Sequence, residues 1–109
     1  MNQLSNNYNN VISFAMSIKQ NNIISPLITQ LIRSATSIGA NYMEANSASS
    51  RKDFKNKIFI CKKEAQETKH WLRMLIRALS DKESEIKVLW KEAQELTLIF
   101  QKITTTLNQ

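Results

Sequence analysis

Residues 54–79, FKNKIFICKKEAQETKHWLRMLIRAL, decide the fold because they carry two patterns in one segment. Apolar or small residues recur at alternating intervals of three and four, beginning Phe54, Ile58, Cys61 and ending Leu75, Leu79. This alternation places a continuous apolar seam along an α-helix, as in helices that pack into bundles. Seven Lys or Arg residues lie between the seam positions. The segment therefore predicts a long helix with one face in a core and a positively charged face beside it.

The same alternation occurs three more times along the chain. The three series are Leu4, Tyr8, Val11, Ala15 and Ile18; Ile28, Leu31, Ala35, Ile38 and Tyr42; and Ile86, Leu89, Ala93, Leu96, Phe100, Ile103 and Leu107. Helix starts are indicated by Ser25-Pro26, by Ser50 with Asp53, and by the capping-box pair Ser80 and Glu83. Four helices are therefore predicted, at about 4–21, 26–46, 51–79 and 82–105, with TTTLNQ at the end frayed.

Composition and loop length indicate how the four predicted helices are arranged. A single Gly and a single Pro argue against a turn-rich β protein, and 42% hydrophobic residues suffice for one core. The predicted connections are short, and short connections make successive helices antiparallel. We therefore predict an all-α, up-down-up-down four-helix bundle in which residues 1–109 form a single domain.

The chain shows no sign of export or membrane insertion. One cysteine excludes an internal disulfide, which suits a reducing compartment. The first ten residues, MNQLSNNYNN, are polar and uncharged, unlike a secretory signal. No apolar run approaches the roughly 20 residues that span a bilayer. We expect a soluble cytoplasmic protein without a membrane partner.

The positive charge is concentrated in the third predicted helix. Residues 51–77 hold nine basic and three acidic side chains, an excess of six that equals the net charge of the whole chain, +6. On a helical wheel, six basic residues lie close together beside the seam, and we call them the basic ridge: Arg51, Lys55, Lys62, Lys69, Arg73 and Arg77. Phe59 lies among them, where its ring can stack on a base. The ridge is a candidate RNA- or DNA-binding surface, and the alternative is a solvated face that keeps the protein soluble.

Two further sets of residues are candidates for contacts between subunits. Ile60, Trp71 and Met74 form a second apolar sector of the third helix, which marks either a subunit contact or a wider core. On the second helix, spacings of four, four and three align Arg33, Ser37, Asn41 and Glu44 in a polar stripe. Arg33 and Glu44 are about 16 Å apart along the axis and cannot pair with each other. Each can pair with a neighbouring helix or subunit, and the alternative is solvent exposure.

Catalytic and metal-binding patterns are poorly represented. Glu67 and His70 form one Glu-x-x-His fragment, but a di-iron bundle needs two such fragments and two more glutamates. Cys61 falls on the apolar seam, where a small core residue is expected rather than a nucleophile. Gly39 stands alone and indicates a close approach of two helices, not a phosphate-binding loop. We expect no enzymatic activity, no metal and no cofactor.

Two runs resemble a known family. Residues 30–54, QLIRSATSIGANYMEANSASSRKDF, and 57–75, KIFICKKEAQETKHWLRML, are similar to the small bacterial four helix bundle proteins. That family includes proteins encoded in intervening sequences of large-subunit ribosomal RNA genes and accessory variability determinants of diversity-generating retroelements. The matching positions are Arg33, Ser34, Ser37, Ile38, Asn41, Glu44, Ser50, Arg51 and Phe54. Where many members continue Glu-Gly, this chain has Glu44-Ala45.

The resemblance extends over about residues 4–105 and implies several properties. It implies a four-helix bundle, a ring-shaped homopentamer and no enzymatic activity. In the retroelement branch it implies binding of nucleic acid and of a reverse transcriptase through a positive surface. These are expectations by analogy, because a fold alone does not determine a function.

Overall fold

Four long helices make up the structure. In the computed structural model, which describes residues 1–108, the helices are α1 (Asn2–Ser17), α2 (Ile24–Asn46), α3 (Arg51–Ala78) and α4 (Glu83–Leu107), with a short 3-10 turn at Ser80–Lys82. They pack into a rod of 44 × 21 × 19 Å, and no strand occurs among these residues. The predicted all-α, up-down-up-down bundle is confirmed.

The apolar seams meet along the axis of the rod. Every residue of the four predicted series is buried or half-buried. One core cluster centres on Leu31, Leu72 and Ile86, and a second one centres on Ile38, Ile58 and Phe100. The 3-4 spacing therefore identified the core face of each helix correctly.

The connection between α1 and α2 differs from the prediction. α1 ends at Ser17 rather than near residue 21, since Ile18 adopts an extended backbone and stays buried. Asn21 Oδ1 accepts hydrogen bonds from the N–H groups of Ile23 (2.9 Å) and Ile24 (2.8 Å). Asn21, not Ser25, therefore caps α2. Pro26 is the third helical residue, where its missing N–H costs nothing because the first four N–H groups lack helical partners.

At the ends of the other helices, some predictions agree with the structure and others do not. Ser50 caps α3 as predicted, because its hydroxyl accepts from the Asp53 N–H at 3.0 Å. The Ser80–Glu83 capping box is wrong, since Ser80 begins the 3-10 turn and α4 has no side-chain cap. α4 continues to Leu107, beyond the predicted fraying, because Thr104 is buried and Leu107 is half-buried. The last residue of the predicted frayed end, Gln109, lies outside the described residues.

α3 is the central element of the bundle. It packs extensively against both α2 and α4, whereas α1 contacts α2 and α4 more sparsely. A Cβ on Gly39 would lie 3.3 Å from Tyr8 Cε2, so the glycine admits the tyrosine ring between α1 and α2, as predicted. Among residues 1–108, no helix is long and apolar enough to cross a membrane.

Candidate nucleic-acid interface

The basic ridge follows the seam between α3 and α4. Arg51, Arg73 and Arg77 are exposed, and Lys55, Lys62 and Lys69 are half-buried. Two ridge residues donate hydrogen bonds to α4: Arg51 Nη2 to the Leu107 carbonyl at 3.1 Å, and Lys69 Nζ to Gln94 Oε1 at 2.6 Å. The ridge begins with Arg51, the first residue of α3, and ends with Arg77, its next-to-last residue, so it runs along the whole helix.

The ridge contacts an aromatic side chain, Trp90, that is not among the predicted site residues. Lys69 Nζ and Arg73 Cζ each lie 5.4 Å from the ring centroid of Trp90 on α4. A cation at this distance from an indole is attracted by the electron-rich ring face. Burial, and then the nearby Arg73 guanidinium, lower the pKa of Lys69.

Trp90 also floors an open groove between α3 and α4. We call this the Trp90 groove; it has a volume of about 560 Å³ and is lined by Arg73, Ile76, Lys87, Trp90 and Lys91. The basic surface therefore extends onto α4, beyond the predicted ridge. The sequence did contain a sign of this extension, because Trp90 lies between Lys87 and Lys91 and directly follows Leu89 of the fourth apolar series. The sequence alone did not show that this turn would face Arg73.

The ridge cations are not neutralised by acidic side chains. Among the side chains of residues 1–108, the ion pairs involve Arg33, Lys57, Lys82 and Lys87, and none of the six ridge residues. Phe59, predicted to stack on a base, is 43% exposed. The ridge thus presents uncompensated positive charge beside exposed aromatic surface.

The polar stripe of α2 lies at the α2–α3 interface, on the other side of α3 from the basic ridge. Arg33 pairs with Glu64 at 2.9 Å and with Glu67 at 2.5 Å, and Glu44 pairs with Lys57 at 2.8 Å. Both charged ends of the stripe therefore bind a neighbouring helix of the same chain, which was one of the two alternatives. In the middle, Asn41 Nδ2 donates to the Ser37 carbonyl at 2.8 Å, and Ser37 is half-buried. A further role of these four residues between subunits remains a prediction.

The Arg33 cluster contains a carboxylate with a perturbed pKa. Glu64 is only 7% exposed, and burial, followed by the neighbouring Glu67, raises its pKa while Arg33 acts in the opposite direction. The hydrogen bond from Arg33 is the main reason that the pKa of Glu67 is lowered. Next to this cluster, Thr68 Oγ1 lies 2.9 Å from Ser34 Oγ, and both residues are buried. Polar side chains therefore join α2 to α3 through ion pairs and a buried hydrogen bond.

The apolar sector of α3 is split between core and surface. Trp71 is half-buried and packs against the core cluster, with its ring edge-on to His70 at 4.7 Å. Ile60 and Met74 remain 37% and 38% exposed. Trp71 thus widens the core of its own chain, and a subunit contact through this sector remains a prediction.

A second exposed surface lies between α1 and α2. α1 carries no charged side chain, and Ile12, Met16 and Met43 are exposed on these two helices. A groove of about 640 Å³ runs between them, past Tyr8 and Gly39. The molecule thus has an uncharged face and a strongly basic face.

The residues considered for catalysis are not brought together. Cys61 is fully buried, and its Sγ lies 3.6 Å from the Ile38 carbonyl. Burial raises the pKa of this thiol to about 12, which keeps it protonated. Among residues 1–108, no three His, Cys, Asp or Glu side chains are grouped to hold a metal ion.

Comparison with known proteins places the chain in a family. Residues 5–105 match the family described as 23S rRNA-intervening sequence protein. The crystal structure of a protein with unknown function from the S23 ribosomal protein family of Bacteroides thetaiotaomicron is similar, with 30% sequence identity and a TM-score of 0.84 over 94% of this chain and 95% of that chain. No curated protein matches the sequence. Because the family match extends over nearly the whole chain, this protein belongs to the 23S rRNA-intervening sequence protein family.

Proposed function

We propose that this protein is a non-enzymatic, homo-oligomeric binding or scaffold protein that binds RNA or DNA through the basic ridge of α3. The observation that carries the proposal is the row of six basic residues along one seam, unpaired with acidic side chains of residues 1–108. Each phosphate contacted by such a row releases condensed counterions, and this release favours binding. A rod 44 Å long offers the ridge enough length to follow several successive phosphates.

The contacts of the ridge support this use. Three of its arginines are exposed, and the positive surface continues through Lys87 and Lys91 on α4. The family description refers to 23S rRNA, which makes RNA the first ligand to test. A nucleic-acid enzyme such as a reverse transcriptase is a further proposed partner, because the resemblance to the retroelement branch implies one.

Self-association would strengthen binding by repetition. In a ring of copies, weak contacts by each ridge add up, because later contacts form at a high effective concentration. The alternative function is a structural or protein-binding oligomer with no nucleic-acid role. The exposed side chains of Ile60, Met74, Met43 and Met16 favour that alternative, since exposed apolar surface marks protein contacts.

A salt titration with matched charge variants distinguishes the two functions. We expect single-stranded RNA to bind at low salt, with affinity that falls steeply as salt rises. The triple variant Lys55→Gln, Lys62→Gln, Arg77→Gln should lower the slope of log affinity against log salt by about two, at roughly 0.7 per phosphate contact. These three residues avoid the Trp90 contacts and the Arg51 bond to α4.

The control removes the same net charge away from the ridge. Lys19→Gln, Lys57→Gln and Lys82→Gln together should leave the slope nearly unchanged, since none of these residues belongs to the ridge. Fluorescence anisotropy of a labelled RNA measures the affinity of both triple variants at each salt concentration. Equal losses in the two triple variants would show that only net charge matters, and absence of binding to RNA and DNA at low salt would support the structural alternative.

A further inference from the structure

We infer that the Trp90 groove accepts an unpaired base of a single-stranded RNA or DNA, so that the protein prefers single strands to duplexes. This inference rests on the proposed nucleic-acid binding and adds the class of nucleic acid. A row of cations alone binds any polyanion, including a duplex, whereas the groove next to the ridge has features that match a base.

The floor of the groove is apolar and aromatic. Trp90 and Ile76 are half-buried, and Trp90 Nε1 is buried inside the protein, so ring carbons rather than the N–H face the groove. A phosphate gains nothing from such a floor. A base presents a flat π-face, which stacks on an indole regardless of base identity.

The rim of the groove is cationic. Arg73, Lys87 and Lys91 line it, and Lys69 lies 5.4 Å from the Trp90 ring centre. Lys87 is partly compensated by Glu83 at 3.3 Å, whereas Lys69, Arg73 and Lys91 have no ion pair with side chains of residues 1–108. Negative phosphates on either side of a stacked base therefore find positive partners.

The Arg73 side chain is placed to admit a base. Its guanidinium lies 5.4 Å from the Trp90 ring centre, and the residue is exposed. The guanidinium can therefore leave the ring for a phosphate, or cover the outer face of an inserted base. In a duplex both faces of each base are already stacked on neighbouring pairs, so a duplex can use only the charges.

The two tryptophans allow a direct test. Trp71→Phe leaves Trp90 as the sole tryptophan, and Trp71 lies on α3 against the core cluster, away from the groove lining. The probes are an oligothymidylate of about 12 nucleotides, the abasic strand of equal length, and a duplex of equal length. We expect the oligothymidylate to quench Trp90 emission, and the abasic strand and duplex to bind without quenching.

Affinity provides a second, independent measurement. In the otherwise natural chain, Trp90→Leu removes the π-face and should weaken oligothymidylate binding about tenfold, with Trp90→Phe much closer to the parent. Neither change should alter affinity for the abasic strand by more than about twofold, because that strand offers no base to stack. If Trp90→Leu fails to fold by circular dichroism, the quenching measurement with Trp71→Phe decides.

The outcomes separate this inference from the function on which it rests. Binding of single strands without quenching, or with unchanged affinity in a folded Trp90→Leu protein, would overturn the base-binding groove and leave the ridge in place. No binding at low salt of any of the three probes, or of the single-stranded RNA used in the salt titration, would overturn both proposals.

Discussion

Glu64 is a buried carboxylate on α3, only 7% exposed. Its carboxylate is buried between α2 and α3, and Arg33 is the cation that compensates it, at 2.9 Å. A buried carboxylate left without a partner costs roughly 1–3 kcal/mol or more. Arg33 itself is 44% exposed, so its importance comes from the buried partner rather than from a strong surface ion pair.

Arg33→Met should therefore destabilise the fold by roughly 1–3 kcal/mol at pH 7. The deficit should shrink as the pH falls to about 5. Without Arg33 the already raised pKa of Glu64 rises further, so the folded variant binds a proton and loses the buried charge. Glu67 does not contribute in this window, because its pKa is lowered in the parent and the stabilisation it provides is lost only at lower pH, as the pH falls through the folded pKa.

Urea denaturation tests this prediction by giving the free energy of unfolding of the parent and the variant at the two pH values. Lys57→Met is the matched control, because it breaks the pair with Glu44, whose side chain is 53% exposed. We expect the control to cost less than about 1 kcal/mol. A deficit for Arg33→Met that stays constant or grows on acidification would show that Glu64 is not the group left uncompensated.

Among the elements, α1 is the most weakly held. It contacts only α2 and α4, whereas α3 packs extensively on both of its neighbours. Asn7 on α1 is fully buried, and neither polar atom of its side chain has a hydrogen-bond partner within residues 1–108. Sparse packing and an unsatisfied polar group both lower the free energy of local opening.

We therefore expect the amides of α1 to exchange with deuterium faster than those of α3. Asn7→Leu should slow exchange in α1 and raise the melting temperature, since it replaces an unsatisfied amide by an apolar side chain. Asn9→Leu changes the same residue type at an exposed position and should do neither. Hydrogen exchange by mass spectrometry and thermal melts measure both variants, and α1 protection equal to that of α3 would contradict the prediction.

At the scale of the whole molecule, charge divides the rod into two faces. The α3–α4 side is basic, while α1 and the adjoining groove carry no charged side chain. Identical basic faces repel each other, so a contact that joins two basic ridges is disfavoured. The uncharged α1–α2 face and the sector around Ile60 and Met74 both offer exposed apolar side chains for a contact between copies.

Sedimentation equilibrium can decide between these two faces. We expect the parent protein to exceed the monomer mass of 12.6 kDa, with five copies as the number implied by the family resemblance. Ile60→Gln with Met74→Gln should shift the distribution toward the monomer, because both side chains are exposed and apolar. Ile12→Gln with Met43→Gln is the matched pair on the other face.

The results of the two pairs have different meanings. Dissociation only by the Ile12 and Met43 pair would place the contact on α1 and α2 and make the predicted contact through Ile60 and Met74 wrong. A parent protein that stays monomeric at high concentration would contradict self-association itself.

The sequence by itself determined the four helices, their core faces and the position of the excess charge. These are consequences of periodicity: apolar residues spaced by three and four specify a buried face, and the charge of residues 51–77 is a count. Helix ends were less predictable. Asn and Ser both cap helices, so Asn21 and Ser25 were both possible starts of α2, and the hydrogen bonds from Ile23 and Ile24 to Asn21 Oδ1 show that the chain uses Asn21.

Only the tertiary structure decided which residues of different helices meet. It brought Trp90, Lys87 and Lys91 of α4 to the ridge of α3, and it paired Arg33 with Glu64 and Glu67. These pairings depend on the rotation and register of one helix against another. Side-chain packing across the whole core sets that rotation and register, whereas the pattern within a single helix specifies only which face is buried.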